Sequence, residues 1–476
     1  MSSTAGEYAM LKQEAYEGAS DHYRLEQRGL VTGDQDTLAA KELANLWARS
    51  HHAIRNNGVA ATAKLKYRSN LGSIKVVWKN ENGKVNKKMQ AWWETFAADP
   101  NLDGFGNFVN TQDLWNGSMF ESGESITRMV IKKRKGHTIP LALQVIESEF
   151  LNPNYDAGMP ETTRQGITFK DSRPLTYHFL KTLKGNFGDF SYGHIDSSEY
   201  VKVPADEIIH QLDRERPNQW RGVPKLASIL LPLYELDDLT DATVNKQKAA
   251  QAVAWIVKNT NPVAALTVGT VRSTTDASDV DENGNARKIS QSGSSNVQYL
   301  NKNEDLIPVQ GTDIGNNLDT LIKSELHKIA QACGLSYEVL TGDLSGISFS
   351  SLKFVINEMK KSADFVYTNR TISLGLIPLC NRFKELAEIY GSKNASAANP
   401  TFEYPKRYGI DELKDTQADL LKVSSGMGTL GNVLTKNSLT FDDIKEDKAK
   451  MKEAGIDLAP DAQSKNVKPN AKSAEV

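Results

Sequence analysis

The sequence predicts an α+β chain built from several packing units. Three observations carry this: two-residue alternation through 124–215, three-to-four-residue apolar spacing through most of 224–390, and a length of 476 residues. The alternating runs, such as Glu124–Ile131, Leu141–Glu147, Gly166–Phe169 and Thr176–Leu180, follow one another with short breaks, the mark of an antiparallel sheet. A chain of 52.6 kDa exceeds one ordinary core, so two to four units are expected.

Taken in order, Leu38, Leu43, Leu46 and Trp47 recur at helical spacing and predict a helix over 36–57, with Gly58 as its terminator. Short strand-like pieces are expected from 62 to about 90, with a hairpin turn at Asn80–Gly83. A Trp-rich helical stretch follows over 91–120, then the sheet. At Pro224 a long helix is expected to begin and run to about 257, because a proline in the first turn forfeits no hydrogen bond. Its apolar stripe is Leu226, Ile229, Leu230, Leu233, Leu236 and Val244. Glu235, Asp238, Asp241, Asn245 and Lys248 are expected on another face at steps of three and four, and Pro232 is expected to bend it.

Residues 259–296 are polar and rich in small residues, with a loop expected over 273–295, and Val297–Leu300 with Leu306–Gln310 read as a strand pair. Leu318, Leu321, Ile322, Leu326, Ile329 and Cys333 mark a helix with Asn317 as N-cap and Gly334 just past its end. The loop 335–348 carries Thr341-Gly342-Asp343 and Ser345-Gly346. Ser348 or Ser350 can cap the next helix, which runs to about 390 with a kink at Gly375 and Pro378. A boundary at 392–400, short helices over 411–456 and a disordered tail at 459–476 complete the reading.

Composition narrows the function. Charged residues are 24% and hydrophobic residues 39%, as in a soluble folded protein; no apolar run approaches the ~20 residues of a membrane span, and the first ten residues do not read as a signal peptide. The two cysteines, Cys333 and Cys380, favour a reducing compartment over a disulfide framework. A net charge of −2 argues against a tight sequence-specific DNA binder, which gains affinity from a surplus of Lys and Arg, but suits a conduit with weak contacts.

Several motifs invite chemistry. Gly426–Gly431 satisfies G-x-G-x-x-G, yet a helical pattern precedes it where a dinucleotide site needs a strand, so it reads as a turn. No P-loop occurs, so any ATP-driven step belongs to another protein. Asp237, Asp238 and Asp241 read either as a two-metal nuclease cluster or, more commonly, as a solvated or subunit-facing stripe. Lys132–Lys135 reads as a nucleic-acid patch or, more simply, an exposed hairpin tip ending at Gly136. His51 and His52 lie on different faces without metal-ligand spacing, and the seven tryptophans read as core or interface anchors.

Two segments go further: Val203–His210 running through Asp213–Pro217 and Trp220–Pro224 into Leu226–Ala242, and Gly334–Leu352. Both closely resemble signature segments of the lambda-type portal proteins of tailed bacteriophages. Leu46–Ala61 resembles that family's N-terminal helix, with Arg49, Arg55, Asn56 and Asn57 as the specific matches. Glu235–Ala250 and Thr341–Gly346 are the most specific stretches, and the resemblance covers roughly 40–456.

The resemblance implies a portal fold of the α+β class: an N-terminal arm (1–35), an α/β wing (36–223), a helical stem (224–258), a small β-containing clip (259–316), a second stem helix (317–334), a tunnel loop (335–351), a long kinked wing helix (352–391), a helical crown (392–458) and a tail (459–476). It implies a non-enzymatic homo-oligomeric ring, dodecameric in the family, without cofactors or metals. Double-stranded DNA is threaded through it without sequence specificity. The implied partners are the terminase large subunit, a head-completion adaptor, the major capsid protein and the scaffold. Gly342, Asp343, Leu344, Ser345, Gly346, Ile347 and Ser348 are the expected tunnel-loop residues. Glu235, Asp238, Asp241, Lys246 and Lys248 are the expected stem charges facing the channel. The rival readings are a metal-dependent nuclease and a monomeric virion adaptor.

Overall fold

The computed structural model describes residues 35–156, 162–181, 199–252, 255–259, 289–292, 295–298, 304–308, 316–392, 397–405, 412–436 and 441–453. The chain forms two compact units. The first comprises residues 1–52, 64–225 and 344–476, and the second 53–63 and 226–343.

The first helix, α1, spans Gln35–Asn56. Gly58 does not end the helical region but begins α2, Gly58–Leu71, where strand-like pieces were expected. The reason lies in Asn57: its side-chain oxygen accepts the Ala60 N–H at 2.8 Å, capping an alanine-rich segment of good helix propensity.

In the first unit, β1 (Lys75–Lys79) leads into the Asn80–Gly83 turn, with Gly83 at φ +77. The main partner of β1 is far away in sequence: β13 (Asn399–Glu403), antiparallel, with Val77 opposite Thr401. The expected boundary at 392–400 thus ends in a strand of this unit. The Trp-rich stretch forms two helices, α3 (Lys87–Ala98) and α4 (Phe108–Glu121). Trp78, Trp93, Phe96, Phe108 and Phe383 make an aromatic cluster, with Trp93 and Phe383 at 5.1 Å between ring centres.

The expected antiparallel β region is present as two sheets. One has the order β3–β2–β8, from β2 (Glu124–Ile131), β3 (Leu141–Ile146) and β8 (Ile208–Leu212). The other runs β4 (Thr162–Arg164), β5 (Ile167–Lys170), β6 (Arg173–Leu180) and β7 (Tyr200–Pro204) in sequence order. Ile126 and Ile208 from the first and Ile167, Tyr177, Phe179 and Val203 from the second share one core. Lys132–Lys135 lies on the turn between β2 and β3, with Gly136 at φ +84. Arg134 folds back onto the carbonyls of Asp99 (2.5 Å) and Leu141 (2.6 Å), while Lys132, Lys133 and Lys135 are exposed.

In the second unit the long helix α5 spans Leu230–Ala252, beginning six residues after Pro224. Residues 225–229 are turns, with the Ile229 N–H on the Leu226 carbonyl. Pro232 is therefore in the first turn, where it costs no hydrogen bond and forces no bend. The end of the expected stem is β9 (Trp255–Asn259), which pairs with β12 (Glu304–Pro308). β10 (Ile289–Ser292) pairs with β11 (Ser295–Gln298), so the two strands expected to pair with each other each have a different partner. Trp255–Val257 supplies an aromatic, β-branched run that suits a strand, and β10–β11 is a local hairpin. α6 (Asn316–Ala332) starts at Asn316, which places Asn317 inside its first turn. Gly334 follows it at φ +71 as expected, and α6 packs against α5.

α7 (Tyr337–Thr341) is a helical turn inside the expected loop, capped by the Ser336 side chain. In the first unit, α8 (Phe349–Val366) and α9 (Ile377–Tyr390) are joined by a ten-residue π-helical turn, Tyr367–Leu376, in place of the expected kink. Pro378 is at the start of α9, and β8 runs against the π turn. α10 (Glu412–Ser424), α11 (Leu430–Lys436) and α12 (Phe441–Glu453) are the expected short helices. Gly426–Gly431 follows α10 and runs into the first residues of α11, so a helix and not a strand precedes it. The expected tail at 459–476, most of the N-terminal arm and much of 259–316 lie outside the described residues.

Candidate channel elements

On α5, Leu230, Leu233 and Leu236 are buried, and the described residues from Asp237 to Lys248 are exposed or half-buried. Glu235, Asp238, Asp241, Lys246 and Lys248 are all exposed. At about 100° per residue they divide: Glu235, Asp238 and Lys246 fall within about 80° of arc opposite the buried leucines, while Asp241 and Lys248 lie toward the flank. None of the five is in the first or last turn, so the helix dipole does not account for them. Between Asp237 and Lys248 no side chain is buried, so this stretch presents no core-facing stripe within the subunit.

Asp237 is held otherwise. Its Oδ2 accepts the Asn57 side-chain N–H at 2.8 Å, which explains why Asn57, 5% exposed, matters in the N-terminal segment. Among the described residues no group of three or more His, Cys, Asp or Glu side chains is arranged to hold a metal. The acidic triplet thus offers no assembled two-metal centre.

The expected tunnel loop leaves α7 through Gly342 at φ +74, whose N–H closes on the Glu338 carbonyl at 2.8 Å. An added Cβ at Gly342 would meet nothing, so its requirement is conformational rather than spatial. Asp343 accepts the Tyr337 hydroxyl at 3.2 Å, and its own N–H donates to the Thr341 hydroxyl at 3.1 Å. In the first unit, Leu344 to Ile347 form a turn with Gly346 at φ +80. Leu344 is 54% exposed, Ser345 is exposed and Ile347 half-buried. The Ser348 hydroxyl accepts the Ser351 N–H at 3.1 Å and so caps α8. Along α8, Phe349, Phe354 and Phe365 are exposed.

Sequence reasoning missed what the Trp220–Pro224 signature does. Glu124, fully buried at the start of β2, accepts from Arg221 Nη2 at 2.7 Å, Arg221 Nε at 3.1 Å and the Gly222 N–H at 2.7 Å. His210 Nε2 lies 3.3 Å from the same carboxylate. The remaining Arg221 donors reach the carbonyls of Leu151, Gln165 and Ser148, and the guanidinium stands 5.0 Å over the Trp47 ring. Burial pushes the Glu124 carboxyl up, but the Arg221 charge, His210 and the hydrogen bonds outweigh it and hold the group at about 2. The backbones also touch: a Cβ on Gly123 would stand 2.1 Å from the Val223 carbonyl oxygen, and one on Gly222 2.2 Å from the Gly123 carbonyl. Segment 221–223 is therefore locked to the start of β2 by two glycines and one ion pair.

The chain matches the phage portal proteins of the lambda family over residues 24–365, and it belongs to that family. A probable portal protein of Halomonas phage phiHAP-1 is 22% identical over 338 residues, covering 67% of this chain; the chain spans only 62% of the length of that relative. Among solved structures, a chain from the neck of a native GTA particle computed with C12 symmetry aligns with 84% of this chain and 91% of its own, at 12% identity and a TM-score of 0.42. An HK97 family phage portal protein from Corynebacterium diphtheriae aligns with 77% of this chain and 96% of its own, at 10% identity and a TM-score of 0.32.

Proposed function

We propose that twelve copies of this chain close a ring at one vertex of a tailed-phage head and that genomic DNA enters and leaves through its centre. The observation that carries this reading, within a chain of the portal family, is the loop 342–348, exposed except at the half-buried Asp343 and Ile347. It has two glycines at positive φ and passes directly into a capped helix whose Phe349 and Phe354 are exposed in the lone subunit. Heterologous contacts between identical copies would cover such apolar surface and close the ring.

In this reading Gly342, Asp343, Leu344, Ser345, Gly346, Ile347 and Ser348 meet DNA or the neighbouring loop. Gly342 and Gly346 supply the backbone freedom for passage. Glu235, Asp238 and Lys246, sharing one face, would line the stem, with acids repelling phosphates and lysines giving brief, evenly spaced contacts. Asp241 and Lys248 join them at the flank. The clip, about 259–316, docks the terminase large subunit during packaging and the head-completion adaptor afterwards. The major capsid protein and scaffold hold the ring at its vertex, and assembly takes place in the host cytoplasm. The ring itself needs no cofactor and catalyses nothing. Among the described residues no helix is long and apolar enough to cross a membrane.

Deleting 342–346 tests the loop. The deletion is expected to leave ring formation intact while particles fail to package or retain DNA, measured by nuclease-protected genome per head. Normal packaging by the deletion protein would overturn the assignment.

A further inference from the structure

We infer that Arg370, Gln211 and Lys225 build a site for a monovalent anion of halide size where the π-helical turn meets the end of β8. This concerns the interior of the first unit and stands apart from the ring reading. Arg370 is 2% exposed on the π turn. Its Nη1 donates to the Tyr67 hydroxyl at 3.0 Å and to the Asp213 carboxylate at 3.2 Å. Its other donor nitrogens, Nε and Nη2, are buried and have no acceptor among the described residues. The same is true of Nε2 of Gln211, a residue 1% exposed.

The backbone brings these donors together. Gln211 and Asp213 are two residues apart at the end of a strand, which puts them on one face. Arg370 and Gly375 are five apart, the hydrogen-bonded spacing of a π-helix. The Gln211 amide lies against Gly375, 3.0 Å from where a Cβ would stand. Arg370 and Gly375 therefore face Asp213 and Gln211 one turn apart.

Charge selects an anion over a neutral acceptor. Asp213 answers two cations, Arg370 and, at 3.1 Å, the Lys225 ammonium. One carboxylate against two cations leaves a surplus positive charge beside the three donors without acceptors. A halide accepts from several N–H groups and neutralises that charge, whereas water does only the first. The Lys225 and Asp213 side chains are one-third exposed, so the cluster reaches solvent on that side.

The test uses the purified full chain. Crystals grown in sodium bromide and measured at the bromine edge should show an anomalous peak within hydrogen-bond distance of Arg370 Nη2 and Gln211 Nε2. In solution, Tm should rise with sodium chloride or bromide but not with sodium gluconate at equal ionic strength, by about 3 °C per tenfold halide above the dissociation constant. Gln211→Glu places a tethered carboxylate beside Arg370 without changing side-chain length. It should abolish both the bromide peak and the halide dependence. Bromide confined to the protein surface, a water at the site in bromide-grown crystals, or halide dependence surviving in Gln211→Glu would each overturn the proposal.

Discussion

Replacing Arg221 with methionine isolates the lock between β2 and segment 221–223. The substitution keeps an unbranched, shorter apolar side chain and removes the cation from a carboxylate that has no exposure to water. Glu124 then retains the Gly222 N–H at 2.7 Å and His210 at 3.3 Å but loses its bidentate partner. Stranding one charge of a buried pair costs about 3–5 kcal/mol. The pH linkage gives a similar size: a carboxyl held at about 2 instead of 4.5 contributes about 3 kcal/mol at neutral pH. Because the folded value is depressed, that contribution is complete above pH 4.5 and is lost as pH falls towards 2. For a unit of this size the loss corresponds to about 6–20 °C in Tm. The assay is thermal unfolding of wild type, Arg221→Met, Glu124→Gln and the double variant between pH 3 and pH 8. Arg221→Met should be the least stable at neutral pH, and the double variant should recover much of the loss because no charge remains buried alone. If Arg221→Met unfolds within about 0.5 kcal/mol of wild type, or the double variant is worse than either single one, the lock is not electrostatic.

Gly123→Ala should destabilise the same place by at least about 1–3 kcal/mol, since the methyl group meets the Val223 carbonyl and the backbone has φ +78. Thermal melts would read it, and an unchanged Tm would contradict the close backbone contact. Ser348→Ala should cost about 1 kcal/mol through loss of the α8 cap. Faster amide exchange confined to 349–352 is the expected signature, and unchanged exchange there would show that the cap is dispensable.

Elements whose cause is local were legible in the sequence. The Ser348 cap, the Gly334 terminus, the alternating β runs and the glycine turn at 426–431 each follow from neighbours within a few residues. What escaped has distant or hidden causes. Gly58 reads as a terminator until Asn57 is seen capping the next helix, and β1 finds β13 more than 300 residues later. The π turn packs against β8, a partner that no helical period announces. The burial of Arg221 and Arg370 depends on carboxylates 97 and 157 positions away, which no local pattern announces. At the candidate channel, residue types and their order were legible. The division of the stem charges into a shared face and a flank, and the withdrawal of Asp237 to Asn57, required the helix register and the fold.

Electron microscopy of the purified chain in negative stain shows directly whether the subunits close a ring. Rings with a central hole and twelvefold rotational symmetry are the predicted result, since the exposed phenylalanines of α8 and the coreless half of α5 then acquire neighbours. Isolated 52.6 kDa particles that persist in concentrated samples with scaffold present would contradict it.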